Sequence, residues 1–133
     1  MSPTRLSTVV LDAYDAHELA DFYQRLLGYV VRAEEPDWVL IGPPGDATGT
    51  GLSFQTEPAY VPPLWPTRNP GEQQMMMHLD IEVDDLEAET ARALAEGARL
   101  AEYQPQDDVR VFFDPAGHPF CLWISRRPGA TAR

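Results

Sequence analysis

The residues best suited to chemistry lie in two short runs of the second half of the chain. His78-Leu79-Asp80-Ile81-Glu82-Val83 alternates strictly. In an extended strand His78, Asp80 and Glu82 share one face, and Leu79, Ile81 and Val83 share the other. Cys121 and Trp123 stand two residues apart and so share a face of another β-type run. Histidine, carboxylate and thiol are metal ligands, and the same groups orient organic ligands in largely apolar pockets. On an isolated strand such a face is solvated; in a strongly curved sheet it is enclosed and lines a cavity. The first half of the chain offers Thr8, Val10 and Asp12 in the matching pattern.

Other candidates carry less. Gly51-Leu52-Ser53-Phe54-Gln55 lacks the second glycine of a nucleophile elbow, so Ser53 reads as a small polar cavity residue. His17 falls in a first helical turn and reads as solvated, and His118 as a turn residue. Met75-Met76-Met77 reads as strand core or as adaptable ligand contacts. Cys121 is the only cysteine, which excludes an intrachain disulfide and any zinc site built on several thiolates. It reads as a small buried residue, and its lack of a disulfide partner fits a reducing cytoplasm.

All ten basic residues are arginine, so Schiff-base and Walker lysine chemistry is absent. With twenty-one acidic residues the net charge is −11, which repels phosphate backbones and anionic lipid. Nucleic-acid and membrane partners are therefore not expected. The first acidic residue follows too short an apolar run for a signal peptide or a membrane span. The 133 residues suffice for one domain with its own core.

Thirteen prolines mark out where helices can form, because an interior proline costs about 3 kcal/mol. None falls between Thr4 and Glu35 or between Gly71 and Gln104. In the first window Leu19, Phe22, Tyr23, Leu26 and Leu27 recur at helical spacing, with Asp15 and Glu18 as a capping box and Gly28 as the stop. In the second, Leu86, Thr90, Ala93 and Leu94 repeat the pattern, with Asp84 and Glu87 at the start and Gly97 at the end. Each helix follows a β-type run, at 6–14 and 75–83. Each precedes three more, at 29–33, 38–41 and 51–56, then at 99–103, 109–113 and 120–125.

The chain thus reads βαβββ twice, an internal duplication resting on order and spacing rather than identity. Module one spans about 6–56 and module two about 75–125. The proline-rich linker, 57–74, is either a semi-rigid spacer or a loop laying Tyr60, Leu64 and Trp65 over a pocket. Its aromatic content favours the pocket wall. The tail from Arg126 reads as frayed.

The run Asp15 to Tyr29, D-x-x-x-L-x-x-F-Y-x-x-L-L-G-Y, resembles the first helix of the vicinal-oxygen-chelate superfamily. Phe113-Asp-Pro-Ala-Gly-His-Pro-Phe-Cys-Leu122 resembles its closing motif, and His78-Leu-Asp-Ile-Glu-Val-Asp-Asp85 its second-half opening strand. That superfamily includes glyoxalase I, bleomycin and fosfomycin resistance proteins and extradiol dioxygenases. The Tyr-x-Pro-Pro-x-Trp-Pro run before His-Leu-Asp is similar to the glyoxalase-like domain branch. The resemblance covers residues 6–124. It implies an α+β fold in which the two βαβββ modules form a curved eight-stranded sheet around a cavity, in a single domain over 1–133. It also implies a homodimer.

The superfamily takes metal ligands from each module's first and last strands. Carried over by motif, those positions are Thr8, Ser53 or Gln55, His78 and Cys121, where histidine or glutamate is usual. Only His78 matches, so no metal or other cofactor is expected, although Asp80 and Asp12 could complete a non-standard site. What remains is Trp38, Tyr60, Trp65 and Trp123 with Gln55, His78, Asp80 and Cys121, a pocket for a small organic or aromatic ligand. The less favoured alternative is that the same aromatics fill a core. The expected function is therefore a metal-independent small-molecule binder of the glyoxalase and bleomycin-resistance type. The alternatives are a divalent-metal lyase, isomerase or dioxygenase of the superfamily, and an interaction module without a ligand.

Overall fold

The computed structural model describes residues 3–45 and 48–124; the frayed tail expected from Arg126 lies outside them. Module one runs β1 (Thr8–Ala13), α1 (Ala16–Leu27), β2 (Val30–Glu35), β3 (Trp38–Gly42) and β4 (Gly51–Thr56). Module two runs β5 (Leu79–Val83), α2 (Leu86–Ala95), β6 (Arg99–Leu100), β7 (Val109–Phe113) and β8 (Pro119–Ile124). The eight strands make two four-stranded sheets, ordered β1-β4-β3-β2 and β5-β8-β7-β6. In each, the first strand pairs parallel with the last and the remaining pairings are antiparallel. The fold is α+β with two similar modules. The chain divides into two compact units between Tyr60 and Val61.

Local signals explain the first helix. Asp15 is extended, and its carboxylate accepts from the His17 and Glu18 N–H groups. Gly28 closes α1 at φ 72°, a conformation that costs a glycine nothing. The apolar stripe goes where its spacing directs it, with Ala16, Leu19, Ala20, Phe22, Tyr23 and Leu26 buried. Tyr23 stacks on Phe54 of β4 at 5.6 Å, and both rings are fully buried. That face of the sheet is the core of module one.

Module two departs from its sequence pattern in four places. Asp85, not Asp84, caps α2, because Asp85 is the extended residue whose carboxylate reaches the Ala88 N–H at 3.0 Å. Of the expected α2 stripe only Ala93 is buried, and Leu94 is 43% exposed. Met75, Met76 and Met77 precede β5 rather than belonging to it, and Met76 and Met77 are exposed. Strand β6 stops at Leu100 because the Gln104 side chain takes half of the next rung: the Ala101 N–H still donates to the Val111 carbonyl at 3.0 Å, but the Val111 N–H turns to Gln104. Its amide donates to the Ala101 and Val111 carbonyls, and its carbonyl accepts from the Val111 N–H.

His17 is not merely solvated. Its Nε2 lies 2.8 Å from the Glu35 carbonyl, tying α1 to the end of β2. Among the described residues no helix is long and apolar enough to cross a membrane.

Candidate ligand site on the second module

Strand parity splits module two into two faces. Phe112, Phe120 and Leu122 are fully buried on one of them, with Phe112 stacked on Phe120 at 5.2 Å. Val109, Val111, Cys121 and Trp123 point to the other. There Ala101, Val109, Val111 and Cys121 form a buried apolar cluster, against which Trp65, Phe113 and Trp123 pack half-buried. Small side chains make the floor, and three large aromatic rings stand over or beside it. Trp65 also stacks on Tyr103, with ring centroids 5.7 Å apart and planes 26° apart, while Tyr103 is 54% exposed.

The linker around Trp65 makes its own local bonds. Leu64 and Gln74 form an isolated parallel bridge, and the Trp65–Pro66 peptide is cis. Between them the Glu72 carboxylate accepts from the N–H groups of Arg68 at 2.6 Å and Asn69 at 2.7 Å. These two backbone bonds, Arg68 first, hold the Glu72 pKa below the ordinary glutamate value, and the Arg68 charge adds to them. A lowered carboxylate pKa stabilises the fold fully above the ordinary pKa. That contribution is lost as pH falls through the lowered one. Acid titration is therefore expected to loosen the 67–72 turn only below about pH 4, near the ordinary glutamate value. Glu72→Gln keeps an oxygen acceptor that does not titrate. The difference between the two proteins in Trp65 fluorescence against pH isolates this turn, and identical acid limbs would dismiss it.

The polar edge of the same face is His78 with Asp80. His78 sits just before β5, and its Nε2 lies 3.2 Å from Asp80 Oδ1. Asp80 stands opposite Cys121 in the β5–β8 register, as Glu82 stands opposite Trp123. One donor atom each from His78, Asp80 and Cys121 falls within 4.8 Å of the others. His78 and Asp80 are exposed and Cys121 is buried.

The other sequence candidates belong to module one. Gln55 is opposite both Asp12 and Trp38 in the sheet, exposed, with Trp38 half-buried beside it. Tyr60 is buried and meets Tyr14 edge-on at 5.2 Å. So the linker's two aromatics part company: Tyr60 packs within the first unit and Trp65 within the second. Tyr103, Ala101, Val109 and Val111 are additional residues of the site. The valines were readable from β7 parity, whereas Tyr103 lies beyond the short β6 and carries no periodic signal.

Module one also holds a cavity of about 540 Å³ lined by Arg5, Arg32, Gly42 and Thr50 among others. Arg32 is committed there to the Pro43 and Gly45 carbonyls.

The register aligns the modules position for position. Val10 opposite Ser53 corresponds to Asp80 opposite Cys121, and Thr8 corresponds to His78. Ser53 rather than Gln55 is thus the module-one counterpart of Cys121. Thr8 and Ser53 turn their hydroxyls on each other at 2.8 Å, with Ser53 fully buried. Two neutral hydroxyls bonded to one another are poor ligands for a divalent cation. The four-position centre of the superfamily does not fit this donor set.

Comparison with known proteins agrees with the fold. An antibiotic binding protein, TnmS3, from Streptomyces sp. CB03234 is 21% identical with TM-score 0.61, over 93% of this chain and 98% of that one. A glyoxalase/bleomycin resistance protein/dioxygenase family enzyme from Burkholderia phytofirmans PsJN is 18% identical with TM-score 0.66, over 91% and 98%. A lactoylglutathione lyase from Agrobacterium tumefaciens is 15% identical with TM-score 0.59, over 94% and 96%. Among curated proteins there is no match. The model of the glyoxalase-like domain matches residues 8–123, from the first residue of β1 almost to the end of β8. The chain therefore belongs to the glyoxalase-like domain family, within the vicinal-oxygen-chelate superfamily.

Proposed function

We propose that the protein binds a small, flat organic ligand on the module-two face that carries Trp65, Trp123 and Tyr103, by stacking and apolar contact rather than by chelation. The observation that carries this reading is a floor of small buried residues beside half-buried aromatic rings, with the more exposed Tyr103 stacked on Trp65. Ligand pockets are commonly apolar with a few orienting polar groups, and His78 and Asp80 supply those at the edge. The likeness to an antibiotic binding protein is in keeping with it. Against a superfamily lyase, isomerase or dioxygenase stands the Thr8–Ser53 hydroxyl pair at two of the four ligand positions.

Titrating a panel of planar heteroaromatic compounds, with tryptophan fluorescence as readout, tests the proposal. Saturable quenching unaffected by a chelator is the expected result. Trp65→Ala should then weaken binding by about 1–3 kcal/mol, the scale for losing a large interface anchor. Because Trp65 also packs on the buried cluster, the variant should lose some thermal stability. An affinity left unchanged by Trp65→Ala, or no saturable binder in the panel, would reject this face as the site.

A further inference from the structure

We propose that the module-one cavity of about 540 Å³ binds the oxyanion group, carboxylate or phosphate, of a small organic molecule. This goes beyond the ligand reading of module two and does not depend on it. Module one holds three arginines, and two of them, Arg5 and Arg32, line this cavity. No acidic side chain is among the described residues that line it. In a chain with twenty-one carboxylates that is a local reversal of charge. Thr48 and Thr50 add hydroxyl groups, and Leu6 and Leu40 give an apolar wall for the body of the molecule. The volume suits a metabolite-sized ligand.

The local structure aims Arg32 and holds it in place. The β2–β3 register shifts between Val31 and Ala33, which puts Arg32 at a bulge, a device that re-aims a side chain. Its side chain lies across Gly42, where a Cβ would stand 3.5 Å from Nε and 3.6 Å from Cγ. Nη2 donates to the Pro43 and Gly45 carbonyls, which fixes the guanidinium and leaves the Nε and Nη1 donors for a ligand. Carbonyl dipoles do not cancel its charge, and among the described residues no carboxylate pairs with Arg5 or Arg32. The Gly51 N–H donates to the Ser7 carbonyl at 2.9 Å, which holds the segment carrying Arg5 against the β3–β4 connection.

The internal duplication shows that the fold does not require this arrangement. In module two the matching connection, 114–118, is five residues long and closes around the buried Asp114 carboxylate. In module one it is eight residues long, 43–50, and an arginine takes the place of the acid. The net charge of −11 repels anions at long range, but salt screens that field beyond about 10 Å at 0.1 M. The two guanidiniums act in contact and decide the sign. A nucleic-acid backbone would extend past the cavity into the repelling field, so the anion is a small one.

Titrating the 15N-labelled full-length protein with orthophosphate and, separately, with butyrate tests the site. The signals followed are the arginine Nε–H groups and the backbone amides from Thr48 to Gly51. Saturable shifts there with at least one anion are expected, and KCl at matched ionic strength should produce none. The anion that saturates at lower concentration identifies the headgroup. Arg5→Gln should leave the melting temperature unchanged and weaken binding by about tenfold or more, the scale for losing a charge-assisted hydrogen bond. Arg32→Lys keeps the charge without the planar fork and should also weaken it. No saturation with either anion, shifts that KCl reproduces, or an affinity unchanged in Arg5→Gln would overturn the proposal. Neither probe is a flat aromatic, so the planar-compound titration on module two succeeds or fails separately.

Discussion

Replacing Phe120 by alanine is expected to lower stability by about 3–5 kcal/mol, the range for deleting a buried aromatic side chain. Phe120 is fully buried and stacks on Phe112 with planes 14° apart. It lies on β8, which pairs with both β5 and β7 and so holds the second sheet together. Helix α2 adds little cover of its own, burying only Ala93, whereas α1 buries six residues. Module two therefore leans on its aromatic pair. Since a domain is stable by only about 5–15 kcal/mol, the loss would remove much of the margin. Cys121 follows Phe120 on the opposite face, so the damage should reach the proposed ligand site as well. Urea denaturation gives the magnitude, with Phe120→Leu as the milder comparison. A loss below about 1 kcal/mol, well short of the expected cavity cost, would show that this face is not packed as described.

Asp114→Ala is expected to cost about 2–3 kcal/mol, because it removes a buried carboxylate that accepts from two backbone N–H groups. Asp114 is 2% exposed, and its Oδ1 accepts from the Ala116 N–H at 2.9 Å and the His118 N–H at 3.0 Å. Its backbone closes the same turn, accepting from the Gly117 N–H and donating to the His118 carbonyl. Gly117 turns at φ 93°, and a Cβ there would come within 3.1 Å of Pro62. The turn between β7 and β8 thus also lies against Pro62 of the linker. Asp114→Asn keeps an oxygen acceptor and should recover most of the loss. Thermal denaturation of the two variants separates the causes. If asparagine is as damaging as alanine, the carboxylate charge rather than the hydrogen bonds holds the turn.

Element order and strand faces were legible in the sequence because the signals for them are local. Asp15 and Gly28 delimit α1 through bonds that span no more than four residues. The alternation from His78 to Val83 and the two-residue spacing of Cys121 and Trp123 assigned the faces through the pleat alone. Where a side chain could replace a backbone partner, the reading failed. Strand β6 ends early because the Gln104 side chain, rather than a backbone carbonyl, accepts from the Val111 N–H, and nothing in the spacing announces that.

The candidate site divides in the same way. The sequence singled out His78, Asp80, Cys121, Trp123 and Trp65 by residue type and parity, and it established that the superfamily's ligand set is incomplete. Only the tertiary structure decided the β5–β8 register that sets Asp80 opposite Cys121, since a parallel pairing across forty residues leaves no periodic trace. It alone placed Trp65 on the Ala101–Val111–Cys121 floor and against Tyr103, and kept Tyr60 with Tyr14 in module one. Side-chain type and alternation are properties of neighbours along the chain. Register and stacking are settled by which apolar surfaces can be buried together, and that depends on the whole fold.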